Sequence, residues 1–414
     1  MKKIAFLTLF TLTVLAACQR PDGTVIYLIN PLDEARNDAG LTLTREEISG
    51  ITTLPESDSL FPLLLKKDGT PLPCQVDDMD NDQSWEELFV MTDYRESERK
   101  EVYLVFRDQG EYPEYTPRTN IRFADKKNNH RELTSAIRLK HAVNTITAEF
   151  FQMEGIAFEN EHVGFRNYYD QRNGMDIFGK TTEEMVLDQV GYKNYPDYHT
   201  FNPEWGMDVL KVGSSLGAGS IAAIYNDTLF RIGDNGPGTC NVLTEGPLRS
   251  IFQFDFIDWS MNGTLINVQH KVTIQAGTHY YDNRVMYEGI EENIDIATGI
   301  VNKKSDQLYE ADPGNGYVAY YTHAPQSEDG SILGMGIMLP ENDFAGTFAT
   351  PDSGRGITET YAVNMSAVPA EPVSYRFYSV WEQQDSTWRD PDAFEALLTK
   401  DARLAAHPVR WEKK

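Results

Sequence analysis

Tight-turn signals recur between runs of branched and aromatic residues, and this spacing constrains the fold more than any other feature of the chain. Asp234-Asn235-Gly236-Pro237-Gly238, Asn262-Gly263, Asp312-Pro313-Gly314-Asn315-Gly316 and Glu328-Asp329-Gly330 are such signals. Asn, Asp and Gly accept the positive φ that short hairpin turns require. The segments 219–225, 250–257, 264–274, 318–321, 332–339 and 374–382 read as strands, as do 25–29, 101–107 and 135–151. Segment 42–51 reads as either strand or helix. One late helix is expected over 390–406, with Asp390 as N-cap and Pro391 in the first turn. The pattern predicts a mainly β protein: a large antiparallel β-sandwich with a smaller N-terminal β region and one C-terminal helix. The chain has 414 residues, more than one hydrophobic core usually holds. The polar stretch 125–132 is the candidate linker, dividing an N-terminal region (25–130) from a main domain (131–414).

The N-terminus is a separate signal. Lys2 and Lys3 precede an apolar run over 4–15, too short to span a bilayer permanently. Leu15-Ala16-Ala17-Cys18 follows and resembles the lipobox of exported bacterial lipoproteins. Residues 1–17 are therefore expected to be a signal peptide, Cys18 the lipid anchor and 18–24 a tether. This would hold the protein at a membrane of the cell envelope, in the periplasm or at the outer membrane. The net charge of −26 argues against a nucleic-acid partner, which needs a basic footprint. Cys74 and Cys240 lack the His or Cys neighbours of a zinc site; a disulfide and two buried thiols are both open. Asp77, Asp78, Asp80 and Asp82 lie in an acidic loop that lacks EF-hand spacing, so a solvated loop is preferred and no metal is expected.

Polar and aromatic side chains concentrate between 155 and 219. If the chain is extended there, His162, Gly164, Arg166 and Tyr168 share one face, since alternate residues of a strand do. The row would join a titratable imidazole, a fixed cation and a phenol. His162, His199, Tyr168 and Tyr169 are the candidate catalytic residues. Arg166, Lys180, Trp205, Asp208 and Lys211 are the candidate substrate-binding residues. An Arg or Lys can pair with a carboxylate while a His or Tyr moves protons, which suits elimination or dehydration on a uronic acid without a cofactor. Asp176, Asp208, Glu161 and Glu204 leave open hydrolysis by paired carboxylates, and Trp205 with other aromatics leaves open a non-catalytic glycan binder. Each residue also has a structural reading: surface histidines, ion pairs for Arg166 and the lysines, packing for Tyr168, Tyr169 and Trp205. His270 alternates with Val268 and Val272 and reads as a core histidine; His279, His323 and Trp381 are weaker candidates.

The segments Phe158-Glu159-Asn160-Glu161-His162-Val163-Gly164-Phe165-Arg166, Met175-Asp176-Ile177-Phe178-Gly179-Lys180 and 205–219 resemble the exported family known as domain of unknown function 4861. Asn30-Pro31-Leu32-Asp33-Glu34 and Pro73-Cys74-Gln75-Val76-Asp77 fit it too. The resemblance implies a large sandwich like that of the mutarotase-type lyases. It also implies a setting among polysaccharide-degrading proteins of Gram-negative bacteria, with an acidic oligosaccharide as partner. It supplies no catalytic assignment.

Overall fold

Strand alternation builds the largest element of the protein, described by a computed structural model over residues 20–138, 144–192, 197–233 and 236–414. In Thr264–Gln275, Ile266, Val268, His270, Val272 and Ile274 all point inward. Asn262 and Gly263, both at positive φ, turn this strand back on Arg249–Met261. Nine antiparallel strands form one sheet in the order Ser135–Arg138, Gly238–Glu245, Arg249–Met261, Thr264–Gln275, Tyr280–Glu288, Val373–Trp381, Leu333–Pro340, Tyr317–Ala324, Tyr309–Ala311.

Two five-stranded sheets share a core with it. The first runs Gly206–Asp208, Met175–Lys180, Val163–Tyr168, Gly155–Asn160, Thr119–Arg122. The second runs Thr228–Arg231, Ala222–Tyr225, Ile294–Val301, Thr360–Ala367, Phe344–Ala349. Phe158 and Phe165 of the first, Phe252 and Tyr281 of the large sheet, and Ile296 and Val363 of the second all belong to one buried cluster. The expected antiparallel sandwich is what the chain forms. The C-terminal helix Pro391–Ala406 is capped by the Asp390 side chain and buries Phe394, Leu398 and Ala402 at helical spacing.

The N-terminal residues enclose a second core around Ile26, Leu64, Leu88 and Val102. Its four-stranded sheet is completed from the far end of the chain, by Arg410–Lys413 beside Thr24–Ile29. Buried ion pairing of Arg249 with Asp77 (Nε to Oδ2, 2.7 Å) ties this unit to the large sheet.

Several expectations change. Segment 135–151 divides into the strand Ser135–Arg138 and the helix Asn144–Phe150; β propensity is a weak prior that tertiary context overrides. Segment 125–132 is no linker: Ala124–Asp125 pairs with Arg131–Glu132 around a short turn capped by Asp125. Segment 42–51 is both strand and helix, the switch made by a capping box at Thr44 and Glu47. Cys74 and Cys240 are free thiols buried in different cores, so they do not pair. Burial pushes the Cys74 thiol up to about 12. The expected signal peptide and the lipid site at Cys18 lie outside the described residues. Among those described, no helix is long and apolar enough to cross a membrane.

Candidate functional site

The first five-stranded sheet has two unlike faces. Ile156, Phe158, Phe165 and Ile177 enter the main core. The alternate positions carry charge: Glu159, Arg166, Asp176, Lys180 and Asp208, brought level by the pairings Ala157↔Arg166, Arg166↔Asp176 and Phe178↔Asp208. The segment that follows covers part of this face, with Leu187, Val190 and Trp205 packing against Ala157 and Phe178.

Arg166 is the centre of the charged face and is 1% exposed. Its Nη2 donates to Asp176 Oδ2 at 2.5 Å, to Asp208 Oδ2 at 2.8 Å and to the Tyr168 hydroxyl at 2.6 Å. Tyr168 donates in turn to Asp176 Oδ2 at 2.6 Å. Nη1 reaches the Tyr198 hydroxyl at 3.4 Å and lies 3.9 Å from Glu154. Burial opposes the Arg166 cation, but Tyr168, Asp176 and Asp208 outweigh it and hold it charged, well above its usual value. Burial, and then the Asp176 charge, push the Asp208 carboxyl well above the usual carboxylate range; Arg166 opposes them. One guanidinium is thus shared by two buried carboxyls, and burial and the crowding of like charge favour the protonated form of Asp208. Burial likewise raises the Tyr168 and Tyr198 phenols, so both stay protonated.

The cluster opens to solvent at His199. Its Nδ1 lies 2.8 Å from Asp197 Oδ1 and its Nε2 4.0 Å from Asp208 Oδ2. The His199 side chain is 64% exposed while that of Asp208 is 6% exposed. A buried carboxyl therefore sits behind an exposed imidazole, with the Tyr198 ring against the His199 ring at 4.3 Å. Such an arrangement can take a proton at one atom and deliver one at another.

Five of the expected residues, Arg166, Tyr168, Asp176, Asp208 and His199, meet here. The others do not. His162 leaves the predicted row because the strand begins at Val163; Asn160 Oδ1 accepts the His162 and Val163 amides and makes Glu161-His162 a two-residue turn. Lys180 is buried against Glu159 (2.7 Å) and the Asn160 carbonyl, so its ammonium is spent within the protein. Trp205 is 2% exposed in the packed cluster with Phe178 and presents no face for a sugar. Tyr169 is core: its hydroxyl donates to the Ala136 carbonyl at 2.8 Å and its ring packs on Phe123 and Phe151. Lys211 is exposed beside Lys303 and Lys304, at a separate small cleft. Arg166 itself is filled by protein carboxylates and does not reach out to a ligand carboxylate. Glu204 is exposed on a loop.

Tyr198 and Glu154 were missed by sequence reasoning. Tyr198 adjoins His199 and was readable on that ground alone; Glu154 precedes the hairpin and carried no signal. Four carboxylates cluster elsewhere among the described residues: ligand oxygens of Asp78, Asp80, Asp82 and Glu86 lie within 4.8 Å of one another. Asp77 is not among them, being taken by Arg249.

The family model described as "Domain of unknown function (DUF4861)" matches residues 28–410. "Uncharacterized protein P7" of Formosa agariphila is 27% identical over 202 residues, covering 44% of this chain and 49% of that protein. The chain thus matches about half the length of this curated relative. An alpha-mannosidase from Enterococcus faecalis V583 aligns with TM-score 0.45 and 9% identity, over 95% of this chain and 46% of its own. A putative aldose 1-epimerase from Klebsiella pneumoniae aligns with TM-score 0.31 and 6% identity, over 69% of this chain and 95% of its own. Likenesses at these scores assign no activity.

Proposed function

The chain belongs to the DUF4861 family, and from that premise we propose that it is an acid–base enzyme acting on uronate-containing oligosaccharides by elimination, as a lyase or dehydratase. The observation that carries the reading is the buried Asp208 carboxyl held on Arg166 at 2.8 Å beneath the exposed His199. Elimination needs a C–H bond acidified by its neighbour, and in a sugar chain the carbon next to a uronate carboxyl provides it. His199 Nε2 takes that proton, the C–H electron pair forms the new C=C bond, and the C–O bond of the leaving oxygen breaks. The Tyr198 hydroxyl, beside Arg166, delivers a proton to that oxygen. A departing hydroxyl leaves as water; a departing glycosidic oxygen cuts the chain. Arg166, Asp176 and Tyr168 position these groups from below. Arg172, a quarter exposed and stacked on Tyr168 at 3.9 Å, pairs with Asp170 at 2.7 Å, and a substrate carboxylate at the rim would share this cation with Asp170.

Hydrolysis by a carboxylate pair is disfavoured by the same geometry. The two carboxyls of a glycosidase flank the scissile bond, whereas Asp176 and Asp208 bind one guanidinium nitrogen, which fills the space between them. The test is incubation with saturated and unsaturated uronate oligosaccharides, read by mass spectrometry. Loss of water, or cleavage without added water, is expected. His199→Ala and Asp208→Asn should each lower turnover by about 100-fold or more. Products that have gained water would overturn elimination, and unchanged substrate would overturn catalysis.

A further inference from the structure

We infer that a second ligand site crosses the Glu161-His162 turn, a groove that binds a neutral, hydroxyl-rich oligosaccharide. The turn is held rigidly. Asn160 Nδ2 donates to the Gln275 and Thr278 carbonyls at 2.8 Å, while its Oδ1 accepts the two amides of the turn. Glu161 is 6% exposed. Its Oε1 is filled by Arg118 Nε at 2.8 Å, by Arg118 Nη2 and by the Gly277 amide at 3.0 Å. Among the described residues its Oε2 has no hydrogen-bond partner. A buried carboxylate oxygen with nothing to accept is costly unless a ligand donates to it.

Two cavities, of about 330 and 740 Å³, meet at this turn and share Glu161, His162 and Glu183. In the smaller one the His162 and His279 rings stack at 4.4 Å and 5°, and Trp388 packs edge-on to His279 at 5.1 Å. Burial depresses the His279 ring to about 3 and also lowers His162. Burial thus favours the neutral form of both rings at physiological pH, in which each offers one N–H donor and one acceptor. Each ring covers one face of the other, and the ring nitrogens match the hydroxyls of a pyranose. Around them stand Glu161, Glu183 and Asp385, with Asp38 already paired to Arg118. The carboxylates accept hydroxyl hydrogens and repel an anionic sugar. The groove is thus the chemical complement of the acid–base cluster and stands independently of it, sharing none of its residues.

The experiment is calorimetric titration of the full chain with neutral hexasaccharides (cello-, manno- and xylohexaose) and with hexagalacturonate. At least one neutral chain should bind. His162→Ala, in a turn whose backbone is held by Asn160, and Glu161→Gln should each weaken that binding about tenfold, the scale of one hydrogen bond to a charged group. Thermal unfolding of both variants identifies any loss caused by misfolding, and His162→Phe, which keeps a flat ring but removes its nitrogens, should reproduce the weakening. Asp208→Asn should leave this affinity unchanged while abolishing turnover, so failure here and failure of the catalytic reading are separable. No binding of any neutral chain, or binding indifferent to His162 and Glu161, would overturn the inference. So would zinc binding that is lost in His162→Ala with no saccharide bound.

Discussion

His270 and His199 put the same ring into opposite environments, one 1% exposed in the large sheet and the other in solvent. His270 Nε2 meets Asn283 Oδ1 at 2.7 Å, and burial lowers the ring to about 4. The folded value lies below the unfolded value near 6.5, so the unfolded chain binds the proton more tightly. The stability tied to His270 is full above pH ~6.5 and is lost as pH falls towards 4, by roughly 3 kcal/mol. His279 acts in the same direction, and Asp208, raised on folding, in the opposite one: its contribution fades as pH rises through its folded value. Urea unfolding at pH 7 and pH 4 should show a smaller pH-dependent loss for His270→Gln than for the wild type. Equal losses would refute the assignment. The core role of His270 was legible from its alternation with Val268 and Val272. The place of His162 was not, because the Asn160 side chain, and not the period of the strand, decides where the turn falls.

Glycines separate the elements that hold the site from those that only turn the chain. Gly206 begins the strand bearing Asp208 at φ +126, and a Cβ there would lie 1.8 Å from the Gly179 carbonyl oxygen. Gly263 turns the long hairpin at φ +96 with nothing within 4 Å of a Cβ. Gly263→Ala should therefore cost only backbone strain, about 1 kcal/mol. Gly206→Ala must move the strand away from Met175–Lys180, costing about 3 kcal/mol or more and displacing Asp208 from Arg166. Thermal melts beside turnover measure both; similar melting temperatures for the two variants would refute the distinction. The Asn262-Gly263 turn and the Asp390-Pro391 helix start were readable because their signals are local. The pairing of Gly206–Asp208 with Met175–Lys180 was not, because a strand of three residues carries no local signal of its partner.

At the scale of the whole molecule the two ends of the described chain close one sheet. Arg410–Lys413 pairs with Thr24–Ile29, setting Leu28 opposite Trp411, whose indole N–H reaches Glu47 at 3.3 Å. Ending the chain at Val409 would leave Thr24–Ile29 an open edge. Hydrogen exchange should then quicken at Ile26 and Leu28 while the main core, around Phe158 and Phe252, keeps its protection. Unchanged protection at Ile26 and Leu28 would show that the last strand does not secure the N-terminal core. The sequence by itself determined the mainly β class, the hairpin turns within the described residues, the capped final helix and the acidic charge, since each depends on residues close in the chain. Only the tertiary structure decided which charges meet. Arg166, Asp176 and Asp208 lie on three strands and His199 on a loop, so their meeting depends on a register that no local pattern contains. The same holds for the pairing of the last strand with the first, which covers an edge of the N-terminal sheet with residues from the far end of the chain.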